Sequence, residues 1–417
     1  VQTCALPIYR SNNFGNSWYA CIDGYVVSQF YTGDVSATDS TVAIGGLQDR
    51  NTQMYSGSTY WDFYPNGDGT TTAIDKTNDL IQYTSSQYLN IDQSVDGGQS
   101  FSNFVFSGNG AAFTAPYVLA PSNQNMMYAG DIYINRINLS TLAAANYMTP
   151  SGQPLLSIAV SHTNDQKLYL TTAPSDVVHA GVFRSSNGGL IISDITQNLP
   201  NRYAREIAVN PLNDNIAYVA FSGFGTGHIF RTNDGGANWN DISTALPDMP
   251  FHCLLIDPND TATIYAGCDY GVFYSNDGGT SWQTLNSGMP EAVMIFDLKY
   301  SPSDNSLVAF THGHGVYKLD LDAVLAGMEN THVIGSVNVY PVPASEIITA
   351  QIYFLQYGFT DLMICDAFGK QCSLKHIALH PGMNNITINV SALADGQYYL
   401  TTGNRLFVKK FLKISSH

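Results

Sequence analysis

The sequence predicts an all-β protein in which repeated four-stranded sheets are followed by a small β-sandwich. Three observations lead to this prediction: an eight-residue motif recurs, short apolar strands flank each copy, and the composition changes near residue 337. The 417 residues are 44% hydrophobic and only 12% charged, which is typical of a turn-rich β protein with an ample core. A net charge of −16 argues against nucleic acid as a partner, and no apolar run is long enough for a transmembrane helix.

The recurring motif reads Ser/Thr-x-Asp/Asn-x-Gly-x-x-aromatic. Its copies are separated by 83, 91, 47 and 43 residues, and they begin at Ser11, Ser94, Ser185, Thr232 and Ser275. The first two separations are near twice the last two, so the underlying period is about 44 residues, the length of a four-stranded propeller blade. Apolar strands separated by Asn/Asp/Pro turns surround each copy, which favours radial β repetition over βαβ units. We therefore predict a β-propeller over residues 9–321, with seven blades in this chain; the alternative is that blades upstream of the chain belong to a larger ring or to a second propeller.

The motif resembles the Asp-box of sialidase, sortilin and xyloglucanase-like β-propellers, and the segment AIGGLQDRNTQ…YW…NGDG from Ala43 resembles secreted sortilin-like propellers. In these families the box is a structural turn between the third and fourth strands of a blade. The chemistry agrees, because Asp or Asn accepts backbone N–H bonds in a turn and Gly adopts a positive φ. We assign structural roles to the box residues: Ser11, Asn13, Gly15, Trp18; Ser94, Asp96, Gly98, Phe101; Ser185, Asn187, Gly189; Thr232, Asp234, Gly236, Trp239; and Ser275, Asp277, Gly279, Trp282.

Both ends of the propeller carry a prediction. The opening VQTCALPI back-translates to the end of a common sequencing adapter, so we expect Val1–Ile8 to be an artefact and the chain to be an N-terminally truncated fragment. The last repeat supplies only three strands, and an unpaired edge is a liability that β proteins avoid. We therefore expect residues 17–23 to pair with residues 315–320 and to close the ring.

The C-terminal block begins at residue 337, after a linker predicted at residues 322–336. Residues 337–417 contain four acidic and six basic residues, whereas the rest of the chain is strongly acidic. The block resembles the sorting domain of type IX secretion cargo in these residues: Tyr340, Pro341, Pro343, Gly369, Gly396, Tyr398, Lys409 and Lys410. The resemblance implies a protein of a Bacteroidetes-type bacterium that the type IX machinery recognises and exports to the cell surface or beyond.

Candidate ligand-binding residues follow from strand order. Loops between the second and third strands, and between one blade and the next, share one side of a propeller, which we call the ligand face. The residues placed there are Gln48, Asp49, Arg50, Asp68, Asp131, Arg202, Tyr203, His252, Asp269, Tyr270, Glu291, His312 and His314. Carboxylates, imidazoles and aromatic rings together suit a glycan or protein ligand.

Two functions are compatible with this face. The first is a non-catalytic binding or scaffold propeller, most simply a monomer. The alternative is a glycoside hydrolase of the sialidase or xyloglucanase-like type, for which Asp49, Asp68 and Asp269 are the candidate carboxylates. No cofactor is expected, and His312-Gly-His314 is interpreted as a loop rather than as a metal pair.

The cysteines allow two hairpin disulfides in an extracellular protein. Cys253 and Cys268 lie about one predicted turn, and Cys365 and Cys372 flank another. Opposed strand pairs are often slightly strained for disulfide geometry, so both pairings stay open at this point.

Overall fold

The computed structural model describes residues 9–20, 27–290, 292–322, 334–354, 358–366, 370–402 and 408–415. Residues 1–8, the supposed adapter artefact, lie outside the described residues. The chain divides into two compact units, residues 1–319 and 320–417. The first described strand of the second unit is Ile334–Tyr340, which overlaps the last three residues of the linker predicted at 322–336; the linker stays a prediction.

The first unit opens with a short hairpin and continues with antiparallel sheets whose strands follow one another in sequence. The hairpin consists of β1 (Tyr9–Arg10) and β2 (Tyr19–Ala20). The first four sheets contain β3 (Phe30–Val35), β4 (Val42–Leu47), β5 (Thr52–Ser56) and β6 (Asp62–Tyr64); β7 (Gly69–Ile74), β8 (Gln82–Ser86), β9 (Asn90–Ser94) and β10 (Asn103–Ser107); β11 (Tyr117–Ala120), β12 (Asn123–Gly130), β13 (Tyr133–Asn138) and β14 (Ala143–Met148); β15 (Leu155–Val160), β16 (Leu168–Thr172), β17 (Val182–Ser185) and β18 (Ile192–Asp194).

Three more sheets complete this unit in the described residues. Their strands are β19 (Tyr203–Val209), β20 (Ala217–Ser222), β21 (Ile229–Thr232) and β22 (Asn240–Asp241); β23 (Phe251–Ile256), β24 (Ile264–Cys268), β25 (Gly271–Ser275) and β26 (Gln283–Thr284); β27 (Ile295–Ser301), β28 (Ser306–Thr311) and β29 (Val316–Asp320). Within each sheet the strands follow one another in the order that the repeat predicted. The fold is a β-propeller.

Side chains of the first strand in one sheet bond to the backbone of the first strand in the next. Glu206 of the fifth sheet accepts a hydrogen bond from the N–H of Leu254 in the sixth (3.3 Å). Asp34 of the first sheet accepts one from Ile74 in the second (2.8 Å). Asp297 of the seventh sheet accepts one from the N–H of Gly33 in the first (3.0 Å), so the last described sheet contacts the first.

The Asp-boxes repeat one hydrogen-bond pattern. In the box of the fifth sheet, Thr232 Oγ1 donates to Asp234 Oδ1 and accepts from the N–H of Gly236, while Asp234 also accepts from the N–H of Asn238. The indole N–H of Trp239 donates to the Ile195 carbonyl of the preceding sheet (2.8 Å). The boxes therefore fix turns and tie neighbouring sheets together, and the structure gives their Asp residues no position on the ligand face.

Two other box aromatics are less buried than Trp239. Trp282 makes the same bond to the preceding sheet, to the Ile242 carbonyl at 2.8 Å, but it is only half-buried. Trp18 is exposed, because the first box lies between β1 and β2 rather than within one of the seven sheets. The ladder recorded for Tyr19–Ala20 is with Tyr9–Arg10.

The expected pairing of residues 17–23 with residues 315–320 is wrong for Tyr19–Ala20, which pair with Tyr9–Arg10 in a separate sheet; residues 21–23 lie outside the described residues. Residues just after them do meet the seventh sheet: Gln29 forms an isolated bridge with His312, and the Ser28 carbonyl accepts from the N–H of Gly313 (3.0 Å).

The second unit is a β-sandwich. Its sheets contain β30 (Ile334–Tyr340), β31 (Ile347–Phe354) and β34 (Gly382–Asn389) in one, and β32 (Gly358–Asp366), β33 (Gln371–Leu379), β35 (Gly396–Thr402) and β36 (Val408–Lys413) in the other. Apolar side chains of both sheets, such as Ile348, Leu362 and Phe411, form one core.

The candidate disulfides are not formed, and the strand register explains why. A bulge in β23 places Cys253 opposite Gly267 and moves Cys268 opposite Phe251, so the two thiols leave opposite faces of the hairpin. A second irregularity places Cys365 opposite Gln371 instead of Cys372. All four thiols are free.

Candidate functional site

A recurring backbone irregularity positions the side chains at one end of the propeller channel. Six of the seven first strands are bulged near their start, which is the ligand-face end. In five of these strands the bulge falls on a single residue: Tyr31, Leu156, Arg205, His252 and Phe296. A bulge re-aims a side chain out of the regular alternation of a strand, so these positions can face the channel mouth.

The rings of these bulged residues meet across blades. The His252 and Phe296 rings lie 4.7 Å apart, and Phe296 stacks on His312 at 4.4 Å with an interplanar angle of 10°. His312 continues to Tyr31 (5.6 Å), Tyr31 to Phe113 (6.0 Å), and Phe113 to Tyr88 (5.5 Å). We call these six residues the aromatic arc; it runs from the sixth sheet through the seventh and first to the second.

The arc carries little charge at neutral pH. Burial lowers the pKa of His252, although its hydrogen bond to Asp269 (2.7 Å) opposes the shift. Burial also lowers the pKa of His312. Both imidazoles are therefore neutral, and Asp269 is engaged with His252.

Behind the arc, charged side chains are paired within the propeller. Lys299 donates to Asp297 at 2.7 Å, and Asp297 also accepts from Gly33. Burial, followed by the Asp297 carboxylate, raises the pKa of Glu206 well above its ordinary value. Perturbed carboxyls of this kind occur at functional sites and in structural networks alike; here burial explains the raised pKa of Glu206, and its hydrogen bond from Leu254 of the next sheet opposes the rise.

Two of the predicted carboxylates lie side by side on the ligand face. The N–H of Asp49 donates to Asp68 Oδ1 at 3.0 Å. Burial raises the pKa of Asp68, and the hydrogen bond from the Asp49 N–H opposes this rise. The Asp49 carboxyl group, which shares a hydrogen bond with the Asp68 carboxyl group, raises the pKa of Asp68 further. Asp49 adopts a left-handed conformation at φ 52°, which this contact helps to hold.

The remaining predicted residues have different surroundings. Asp131 is buried and accepts from the N–H groups of Asn109 and Tyr133, so it stabilises a loop and is not available to a ligand. Arg202, Tyr203 and Tyr270 are exposed on the ligand face, outside the arc. Gln48 donates its backbone N–H to Gln29, and Arg50 and His314 line a cleft between the first and seventh sheets.

Sequence reasoning placed His252 and His312 on the ligand face but missed the other four residues of the arc, which are Tyr31, Tyr88, Phe113 and Phe296. The available signal was the second residue of successive first strands, which is Tyr31, His252 and Phe296 in turn. Within the described residues, no group of three or more His, Cys, Asp or Glu side chains is placed to hold a metal ion.

Comparisons with known proteins bear on both units of the chain. A family model described as "Secretion system C-terminal sorting domain" matches residues 338–414. Residues 338–414 are a type IX sorting domain. The protein is therefore exported by type IX secretion to the cell surface or beyond, and no described helix is long and apolar enough to cross a membrane.

The sorting domain carries most of the predicted signal residues in described positions. Tyr340 is exposed, and Lys409 and Lys410 are exposed on the last strand. Tyr398 is instead a core residue that stacks on Phe411 at 5.7 Å, because its position in β35 faces the other sheet. Gly369 lies outside the described residues.

Solved structures support the propeller fold. The chain is similar to an ancestral GH74 enzyme (TM-score 0.59, 12% identity), in a match that covers 98% of this chain and 64% of that enzyme. It is also similar to YCF48 bound to D1 peptide (TM-score 0.53, 12% identity), in a match that covers 70% of this chain and 93% of that one. A third similar structure is the WD40 beta propeller domain of Doa1 (TM-score 0.52, 11% identity), with 71% of this chain and 96% of that one covered. This chain spans less than two thirds of the GH74 enzyme, and no curated protein matches its sequence.

Proposed function

We propose that the exported propeller is a non-catalytic carbohydrate-binding module whose ligand stacks on the aromatic arc. The observation that carries this proposal is the contiguous path of rings from His252 to Tyr88, with Phe296 stacked on His312 at its centre. Pyranose rings present flat faces of C–H groups that pack on aromatic rings. The neutral imidazoles and Asp269 supply hydrogen-bond partners for hydroxyl groups beside them.

Separation of the carboxyl groups favours binding over hydrolysis. Glycosidases hold their two carboxyl groups about 5–5.5 Å apart for retention and about 6.5–9.5 Å apart for inversion, so that a sugar or water fits between them. The carboxyl groups of Asp49 and Asp68 share a hydrogen bond, which leaves no room for a sugar or a water molecule between them. Asp269 is hydrogen-bonded to His252 in the sixth sheet, and the seventh sheet separates it from Asp49 in the first.

Binding can be measured by isothermal titration calorimetry on the full chain with xyloglucan, galactomannan and polygalacturonate. We expect at least one glycan to bind, and Phe296→Ala to weaken it at least about tenfold, which corresponds to about 1.4 kcal/mol. Phe224→Ala is the matched control, because it removes an exposed ring from another ligand-face loop outside the arc.

Two results would contradict the proposal. Equal binding by wild type and Phe296→Ala would separate the arc from the ligand. Release of reducing ends that Asp49→Asn or Asp68→Asn abolishes would establish a hydrolase instead.

A further inference from the structure

The propeller has a cleft that is separate from the aromatic arc. A cleft of about 980 Å³ lies between the first and seventh sheets, and none of the six arc residues lines it. Its volume is at the upper end of the range of about 300–1,000 Å³ that small-molecule sites occupy. Its walls come from β3 to β6 on one side and from β27 to β29 on the other.

One wall of this cleft is aromatic. The rings of Tyr55 and Trp61 lie 5.3 Å apart, and Trp61 also contacts Phe30 at 5.6 Å. Tyr60 and Phe63 line the same cleft with 69% and 55% of their surface exposed. A buried support under exposed rings makes a firm stacking platform, because Trp61 cannot turn away without losing its contacts to Tyr55 and Phe30.

One buried nitrogen without a hydrogen-bond partner lies beside this platform. The Nε of Arg50 is buried and has no hydrogen-bond acceptor among the described residues. The Nε atoms of Arg136, Arg184 and Arg231 are in the same condition, but the guanidinium groups of Arg184 and Arg231 lie over tyrosine rings and donate to box carbonyls of the next sheet. No such contact is recorded for Arg50, and a buried donor left without an acceptor is costly.

Charge and backbone geometry distinguish this cleft from a plain apolar groove. Asn51, with φ 64°, and Gln53 add amide groups to the wall next to Arg50. Residues held in left-handed conformations cluster at functional sites, where the surrounding structure sustains the strain. The aromatic rings can pack on the faces of a sugar, and the amide groups and the Arg50 guanidinium can bond to its hydroxyl oxygens.

We propose that the cleft is a second carbohydrate site, which takes a short oligosaccharide with one pyranose face on Tyr60 and Trp61 and hydroxyl or carboxylate oxygens on Arg50. The site shares only its ligand class with the proposed function and does not depend on the arc. A neutral sugar supplies hydroxyl oxygens and an acidic sugar supplies a carboxylate, so the probes must include both.

The experiment titrates the full chain with cellohexaose, mannohexaose, xylohexaose and hexagalacturonate and measures the stoichiometry. We expect two equivalents to bind with at least one probe, and Tyr60→Ala or Arg50→Ala to remove one of them or to weaken it at least tenfold. Tyr60 is exposed, so its replacement leaves folding intact even if Trp61→Ala does not. Phe224→Ala is the control and retains both equivalents.

The outcomes separate this inference from the proposed function. We expect Phe296→Ala to lose the arc site and keep the cleft site, and Tyr60→Ala to lose the cleft site and keep the arc site. Binding that neither Tyr60→Ala nor Arg50→Ala changes overturns the cleft site and leaves the arc standing. Binding that depends on Tyr60 but not on Phe296 contradicts the arc and leaves the cleft standing. If none of the four probes binds, the cleft proposal is wrong.

Discussion

Replacing Asp297 with alanine should destabilise the propeller where its seventh sheet contacts the first. The Asp297 side chain is 7% exposed; it accepts from Lys299 Nζ at 2.7 Å and from the N–H of Gly33 at 3.0 Å. Breaking a buried ion pair from one side costs about 3–5 kcal/mol, because the other charge stays behind without a partner. The Lys299 side chain keeps 31% exposure, so water compensates part of that cost and we expect about 3 kcal/mol.

The loss of unfolding free energy is measured by urea denaturation of wild type and Asp297→Ala. Adding Lys299→Met should recover most of the loss, since no unpaired cation is then left. Asp34→Ala is the matched comparison: Asp34 makes the same two bonds, to Lys76 at 2.6 Å and to the N–H of Ile74, between the first and second sheets. A loss below about 1 kcal/mol for Asp297→Ala, or no recovery in the double variant, would refute this account of the contact.

Three further predictions concern the boxes and thiols. Trp239→Ala should cost about 3–5 kcal/mol and Trp282→Ala clearly less, because Trp239 is buried and Trp282 is half-buried; equal losses in thermal melts would count against this. Hydrogen bonds from Asn238 and then Thr232 lower the pKa of Asp234 to about 2. Its stabilising contribution should therefore be complete above about pH 4 and lost as the pH falls through about 2, which carboxyl NMR titration can follow. Cys372 is exposed and should react with a thiol reagent in the native state, whereas buried Cys253 should react only on unfolding; native labelling of Cys253 would contradict its position.

The sequence was informative about the fold because each repeat carries its own local signal. The box spacing predicted four-stranded units, and every box within the seven sheets lies between the third and fourth strands as expected. Pairings across a hairpin were less predictable. Cys253 and Cys268 have the right separation for facing partners, but a one-residue bulge moves all subsequent residues to the other face. A bulge has no composition signal comparable to that of a box, so the disulfide hypothesis failed there.

The candidate site was only partly predictable for the same reason. Loop positions such as Asp269 and His312 follow from strand order alone, whereas Tyr31, Arg205 and Phe296 lie inside strands, where simple alternation places side chains in the core. The contact between Asp49 and Asp68 joins two loops 19 residues apart, and sequence cannot give that distance. Asp131 shows the opposite error, since a polar loop residue on the correct face is used to hold its own loop.

The bulges link the candidate site to the stability of the ring. In three consecutive sheets the bulged residue is Arg205, His252 or Phe296, and the residue that follows it bonds to the next sheet. Glu206 accepts from Leu254, Cys253 donates to the Ile295 carbonyl, and Asp297 accepts from Gly33. One local irregularity therefore turns one side chain toward the channel mouth and the next toward the neighbouring blade. Because the two positions are adjacent, the bulged residue can change with the ligand while the following residue preserves the contact between blades.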